Sequence, residues 1–205
     1  MENKAVKNSA GFSIIELIIS MTIMLILMAM AGKIFQHSVG TREREMRRTQ
    51  AVTNAQNTLN LLSREIANSG YGLIDNGLVS ADSSKRKIHF RSNLQNQDSA
   101  TDDANEDLTF YYDAATSSII RYDRFSNPKT STVAKQVNNL TFQYFDYVNF
   151  GDPPVALDVP SVNTARVRIT ISIGLESVAG QPDNQEIIYT SDVSLRNSKY
   201  ISNQY

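Results

Sequence analysis

From Phe12 to Gly32 the sequence reads FSIIELIISMTIMLILMAMAG, and its one ionisable side chain is Glu16. A helix needs about 20 apolar residues to cross the hydrocarbon of a bilayer, so this run qualifies as a membrane segment. No other stretch of the chain restricts the fold so strongly. The acid near its start is the anomaly. A carboxylate near the bilayer centre costs roughly 2.5–3.5 kcal/mol on insertion scales. Glu16 must therefore lie near an interface, be neutralised, or have a use.

The helical pattern continues past the apolar run. Between Lys33 and Asn68 there is no Pro and a single Gly, Gly40, and Val52, Ala55, Leu59, Leu62 and Ile66 recur at spacings of three and four. That is the stripe of a helix packed on one side. The first part is apolar all round and the second amphipathic. Together they predict one helix of roughly 57 residues, about 85 Å long at 1.5 Å per residue. Asn68-Ser69-Gly70 supplies the stop, since Gly closes a helix by taking the left-handed conformation.

After Gly72 the pattern changes to short runs rich in β-branched and aromatic residues, separated by polar turns. The expected strands are Lys87 to Arg91, Leu108 to Tyr112, Ser118 to Tyr122, Leu140 to Tyr147, Arg166 to Leu175 and Glu186 to Leu195. Arg166 to Ile173 alternates, with Val167, Ile169, Ile171 and Ile173 on one face and Arg166, Arg168, Thr170 and Ser172 on the other. One face buried and one solvated is the mark of an antiparallel sheet covered on one side, and the amphipathic half of the helix is its natural cover. Long polar loops are expected at Ser92 to Asn105, Asp123 to Gln136 and Gly151 to Thr164. The class is α+β. The expected organisation is residues 1–11 as a leader, 12–33 as a membrane helix, 34–69 as the amphipathic half and 70–205 as a globular head.

Composition narrows the chemistry. With 205 residues, 41% of them hydrophobic, the chain supports one domain with a real core plus an appendage. It has no Cys, which excludes cystine staples, thiolate catalysis and Cys-ligated zinc. Twenty basic residues against 21 acidic ones leave no global field to recruit nucleic acid, and no nucleic-acid partner is expected. The two histidines, His37 and His89, are far apart in sequence, and no nucleophile, base and orienting acid share a recognisable spacing. No enzymatic activity is expected.

Three readings fit the N-terminal segment. As a secretory signal peptide, Lys4 and Lys7 form a basic n-region and Ala29-Met30-Ala31 a cleavage site, which would release a soluble binding domain beginning at Gly32. As a plain anchor, Glu16 is tolerated at the interface. In the third reading Glu16 is used. Gly11-Phe12-Ser13-Ile14-Ile15-Glu16 resembles the type IV prepilin signature, in which a short polar leader ends in Gly, the mature chain starts with Phe, and a Glu follows four residues later. The resemblance implies cleavage between Gly11 and Phe12 by a membrane-embedded aspartyl prepilin peptidase, then N-methylation of Phe12. The new amine is cationic, and residues i and i+4 share a helix face. A buried carboxylate with a partner costs far less than one without. The resemblance further implies that Glu16 meets the N-terminal amine of a neighbouring subunit and sets the fibre's axial register. Against it stands a count of positive charge: Lys33, Arg42, Arg44, Arg47 and Arg48 outnumber Lys4 and Lys7, which by itself would keep the head cytoplasmic. The signature places the head outside, and the basic band then reads as a solvated helix face or a patch for acidic neighbours.

Two further stretches address the type of subunit. Arg64-Glu-Ile-Ala-Asn-Ser-Gly-Tyr-Gly72 resembles the helix-to-head junction of PilW-type minor pilins. Asp192-Val-Ser-Leu-Arg-Asn197 resembles a strand end of the same group and of the related J-type minor pseudopilins of type II secretion. Asn139 to Phe145 and Arg166 to Ile171 fall where those families place core strands. The resemblance implies a low-copy subunit of a type IV pilus that primes assembly near the fibre tip, or the pseudopilus counterpart. It would be held in the bacterial inner membrane as a single-pass protein before assembly. Its implied partners are other minor and major pilins, the inner-membrane assembly platform and the bilayer.

Two minor patterns complete the reading. Ser92 to Ala115 carries Asp98, Asp102, Asp103, Glu106, Asp107 and Asp113 and no Lys or Arg. Asp103, Asn105 and Asp107 alternate like the opening of a calcium loop, but Leu108 stands where an EF-hand needs Gly and Ala114 where it needs its bidentate Glu. A solvated acidic loop is expected, with no cofactor; calcium at these three residues is the alternative. Tyr111, Tyr112, Tyr122, Tyr144, Phe145 and Tyr147 are expected as core or cross-strand residues, the alternative being a stacking surface for sugars or single-stranded DNA.

Overall fold

The computed structural model describes residues 11–95, 100–148, 152–175 and 185–199. The expected leader up to Ala10, with Lys4 and Lys7, and Asp98 of the acidic loop lie outside the described residues. The chain falls into two compact units, divided after Met46. A single helix, α1 (Ile14–Ala67), contributes to both.

In the first unit, every α1 side chain from Ile14 to Val39 is exposed. An 18-residue window here has a mean hydropathy of 2.5 and none of it is buried, so the helix is long and apolar enough to cross a membrane. The two hydroxyls in the run bond back to the helix: Ser20 Oγ donates to the Leu17 carbonyl at 2.9 Å and Thr22 Oγ1 to that of Ile18 at 2.6 Å. Neither hydroxyl is thereby left for water to satisfy, which is what an apolar environment requires.

In the second unit the helix stripe packs as the spacing predicts. Ala55, Leu59, Leu62 and Ile66 are buried, whereas Val52 is only half-buried. Packing starts at Ala51. The amphipathic half expected from residue 34 is therefore engaged only over its C-terminal portion, and Ile34, Phe35 and Val39 remain exposed.

The head contains two four-stranded antiparallel sheets where a single sheet was expected. The first is a meander of β1 (Lys87–Arg91), β2 (Asp107–Asp113), β3 (Ser118–Asp123) and β4 (Thr130–Ala134). The second contains β5 (Val137–Asp146), β6 (Val155–Leu157), β7 (Thr164–Gly174) and β8 (Glu186–Ser194), in the order β6-β5-β7-β8. A 3-10 turn at Ser80–Asp82 precedes β1. The six strands read from the sequence are all present within three residues of the expected ends. β4 and β6 were read as loop. Both are short edge strands: β4 opens with three exposed polar residues, and β6 is three residues long and follows Pro153 and Pro154. Neither carries the apolar alternation that betrays a half-buried strand, and proline is tolerated beside an edge.

One core joins the two sheets to the helix. Val167, Ile169, Ile171 and Ile173 of β7 are buried as expected, with Leu140, Phe142 and Tyr144 of β5, Phe90 and Phe110 of the first sheet, and the helix stripe. Burying each such large side chain contributes about 1.5–3 kcal/mol. The sheets also meet through the turn before β1. The Phe142 N–H donates to the Lys85 carbonyl at 2.7 Å, and the buried Tyr144 hydroxyl donates towards the Ser84 and Lys87 carbonyls, 3.2 Å from each. Burial pushes the Tyr144 hydroxyl well above the usual tyrosine range.

Candidate functional site

The N-terminal segment places its three predicted residues in the open. Gly11, Phe12 and Ser13 precede the helix, and Phe12 is 77% exposed. The first intrahelical acceptor is the Ser13 carbonyl, which takes the Leu17 N–H at 3.1 Å. Helix α1 therefore starts two residues later than Phe12. The helix face expected to carry both the new Phe12 amine and Glu16 belongs to a chain cut after Gly11, and here Gly11 still precedes Phe12, outside the helix. Glu16 falls in the first helical turn, where the unsatisfied N–H groups favour negative charge. It is exposed and has no hydrogen bond or ion pair among the described residues. A Cβ built on Gly11 would meet nothing within 4 Å. The fold itself places no demand on glycine at this position.

The two stretches singled out at the helix end and after β8 come together in space. Helix α1 stops at Ala67, and Gly70 follows with φ +77°. A Cβ at Gly70 would lie 2.4 Å from the Asp75 carbonyl oxygen, so the chain can turn here only with glycine. The Ser69 hydroxyl donates to the Asn76 carbonyl at 2.6 Å and the Gly70 N–H to the Arg91 carbonyl at 2.8 Å. From the other side, the Arg196 N–H donates to the Ala67 carbonyl at 3.2 Å and its guanidinium to Asn68 Oδ1 at 3.1 Å. The Asn197 amide then reaches the carbonyls of Gly70 (2.5 Å), Leu73 (2.7 Å) and Asp75 (2.8 Å). The last helical carbonyl, that of Ala67, and three carbonyls of the turn after it are thus met from a remote segment. Leu195, fully buried, pins that segment into the core. On the opposite flank, Glu65 of the last helical turn accepts from Arg121 Nε of β3 at 3.0 Å.

The three candidate calcium residues are turned to separate partners. The Asp107 carboxylate takes His89 Nε2 at 2.8 Å and Arg91 Nε at 3.1 Å. Asn105 adopts φ +72°, its N–H donates to Asp123 Oδ2 at 2.9 Å, and its side-chain oxygen accepts from Arg121 Nη2 at 2.7 Å. The Asp103 N–H donates to Glu106 Oε2 at 3.3 Å. Among the described residues no three His, Asp or Glu side chains are placed to share a metal ion. His37 is exposed on the helix, whereas His89 sits on β1 with a carboxylate at each ring nitrogen.

The aromatic residues divide. Tyr144 and Phe145 are buried, as expected for core or cross-strand positions. Tyr111, Tyr112 and Tyr122 are half-buried and line a groove on the outer face of the first sheet, together with His89 and Arg124. Sequence reasoning did not assemble this groove. The alternation of Lys87, His89 and Arg91 signals a polar face, but Asp82 and Arg124 reach it from turns whose placement no local pattern announces.

Compared with known families, residues 6–32 match the model of the prokaryotic N-terminal methylation motif. The match spans the polar leader, Gly11, Phe12, Glu16 and the apolar run. No curated protein and no solved structure matches the chain.

Proposed function

We propose that this chain is the precursor of a minor subunit of a type IV pilus, cut by prepilin peptidase between Gly11 and Phe12 and methylated on the new Phe12 amine. The observation that carries this reading is the N-terminal methylation motif over residues 6–32, together with a helix whose side chains are all exposed from Ile14 to Val39. A surface of that kind needs lipid before assembly and neighbouring helices after it. Glu16, at the helix start without an intramolecular partner among the described residues, is the group to receive the amine of an adjacent subunit. The chain acts in assembly and not as a catalyst. Its head lies outside the cytoplasm, and its partners are other minor and major pilins and the inner-membrane assembly platform.

The priming role near the tip draws its support from the joint between Arg64–Gly72 and Asp192–Asn197, the two stretches that resemble PilW-type subunits. The J-type pseudopilins of type II secretion resemble the second stretch equally, so a pseudopilus subunit is the nearest alternative. Deleting the chain and scoring surface fibres against enzyme secretion separates the two. A signal peptide cut after Ala31 would sever α1 in mid-helix, which weighs against a released soluble domain.

Intact-mass analysis of the protein from its native membrane tests the reading. N-methyl-Phe12 is the expected terminus. A chain starting at Gly32 would identify an exported soluble domain, and retained Met1 a plain anchor. Glu16→Ala should leave leader removal intact and impair incorporation into fibres; normal incorporation would defeat the assembly role.

A further inference from the structure

The groove on the outer face of the first sheet encloses about 590 Å³, within the roughly 300–1,000 Å³ of small-molecule sites. Its floor is a chain of hydrogen-bonded polar side chains. Lys87 bonds Asp82 at 2.5 Å, Asp82 faces His89 Nδ1 at 3.0 Å, His89 Nε2 faces Asp107 at 2.8 Å, and Asp107 takes Arg91. These groups hold one another in place and fix the floor before any ligand arrives.

The walls carry groups without such commitments. In the β2–β3 register Tyr111 opposes Ile120 and Tyr122 opposes Thr109, which sets the two tyrosines diagonally on one face. Neither hydroxyl has a hydrogen-bond partner among the described residues. The arginines mark opposite ends of β2. The Arg86 carbonyl accepts from the Tyr112 N–H, and the Arg124 N–H donates to the Asp107 carbonyl. Along the strand that separation is roughly 17 Å, at about 3.4 Å per residue. The Arg86 side chain is exposed with no ion pair among the described residues. Arg124 approaches Asp107 only to 3.9 Å and is 57% exposed.

We propose that this groove binds a short acidic saccharide, with sugar rings laid on Tyr111 and Tyr122 and a ring carboxylate held by Arg86. Tyrosine faces pack well against the C–H faces of sugar rings, and a guanidinium matches a carboxylate in a two-point contact. The same groove suits other ligands poorly. Asp82 and Asp107 accept hydroxyl protons but repel a phosphodiester chain, so nucleic acid is disfavoured despite the arginines. An apolar ligand would strip water from Arg86 and Arg124 with nothing in return. A saccharide with hydroxyls for the floor and ring carboxylates at its two ends, for Arg86 and Arg124, satisfies both kinds of group.

The test needs only the purified full chain in detergent and does not depend on the pilus reading. The chain has nine Tyr and no Trp, so tyrosine fluorescence reports on the groove without indole interference. Trigalacturonate is the probe, with maltotriose and a thymidine hexanucleotide as comparators, and saturation-transfer NMR identifies the bound rings. Trigalacturonate should bind with Kd below about 1 mM and at least about tenfold more tightly than maltotriose. Tyr122→Ala and Arg86→Ala should each weaken it about tenfold or more. Arg86 is exposed, so its substitution disturbs no packing and carries the test if Tyr122→Ala unfolds. Failure of trigalacturonate to bind, equal binding of maltotriose, tighter binding of the oligonucleotide, or an affinity unchanged in Arg86→Ala would each overturn the proposal.

Discussion

Replacing Asn197 by Ala should unfasten the joint between α1 and the head. The Asn197 amide serves three backbone carbonyls, those of Gly70, Leu73 and Asp75, at 2.5–2.8 Å. A hydrogen bond contributes about 0.5–1.5 kcal/mol net, and a carbonyl left buried without a partner costs about 1–3 kcal/mol. The Gly70 and Leu73 contacts are partly buried and the Asp75 contact is exposed. Water can therefore replace the third bond, and the Gly70 carbonyl keeps the Leu73 N–H at 2.9 Å, so the Leu73 carbonyl is the one left partly buried and unmet. The loss should be about 2–3 kcal/mol, a drop of roughly 4–12 °C in Tm for a protein of this size. Urea or thermal unfolding of the full chain in detergent, followed by circular dichroism, measures it. Asn197→Asp is the informative companion. It keeps the shape but removes both donor protons and aims a negative charge at three carbonyl oxygens, so it should be worse than Ala. A loss below about 0.5 kcal/mol for Ala, or an Asp variant as stable as wild type, would refute the argument that the amide closes this joint.

The remaining expectations use other parts of the chain. Gly70→Ala forces a side chain into a φ of +77° and a Cβ to within 2.4 Å of the Asp75 oxygen, and should destabilise by about 2 kcal/mol or more. Gly40→Ala, in open space within the helix, should instead be neutral or stabilise by up to about 1 kcal/mol; paired melts compare the two. Gly11→Ala should leave the melt unchanged, since nothing lies near its Cβ, yet block leader removal as read by intact mass if Gly11 forms the scissile bond proposed above. On acidification, Arg168, through a two-point hydrogen bond at 2.7 and 2.9 Å, holds the Asp192 carboxyl below its ordinary range, as the Lys87 hydrogen bond does for Asp82. A depressed carboxyl stabilises fully above the unfolded value of about 3.9 and loses that contribution as pH falls through its lower folded value. Urea midpoints should therefore decline below about pH 4, and less steeply in Asp192→Asn.

How much of this was legible in the sequence depended on the range of the interaction involved. The helix, its stripe at Ala55, Leu59, Leu62 and Ile66, and the alternation in β7 depend on local periodicity, which any window of the chain displays. β4 and β6 escaped because an edge strand gains its pairing from a neighbour while leaving its side chains polar. The division into two sheets escaped for a related reason, since strand order is set by which edges meet and not by any one strand's pattern. In the candidate sites, Gly11, Phe12 and Glu16 were visible because their meaning lies in fixed offsets ahead of an apolar run. The start of the helix at Ile14 was not visible, since no local pattern separates Phe12 and Ser13 from the turn that follows them. Asp107 looked like a member of an acidic loop. In three dimensions it answers His89 and Arg91 on β1, a pairing that no spacing within 103–107 could announce.

The closure of the helix end by Arg196 and Asn197 also fixes an order of events. Asn197 is separated from Gly70 by 127 positions, and bringing such distant points together costs roughly 4 kcal/mol of chain entropy before the contact forms. The helix is among the first elements to be synthesised, yet its carbonyls wait for a segment made after every strand of both sheets. Folding of this joint is therefore late by construction. A chain halted upstream of Leu195 would carry a finished helix held by its buried stripe and by Glu65 but lacking the bonds from Arg196 and Asn197, a looser form for quality-control proteases to recognise.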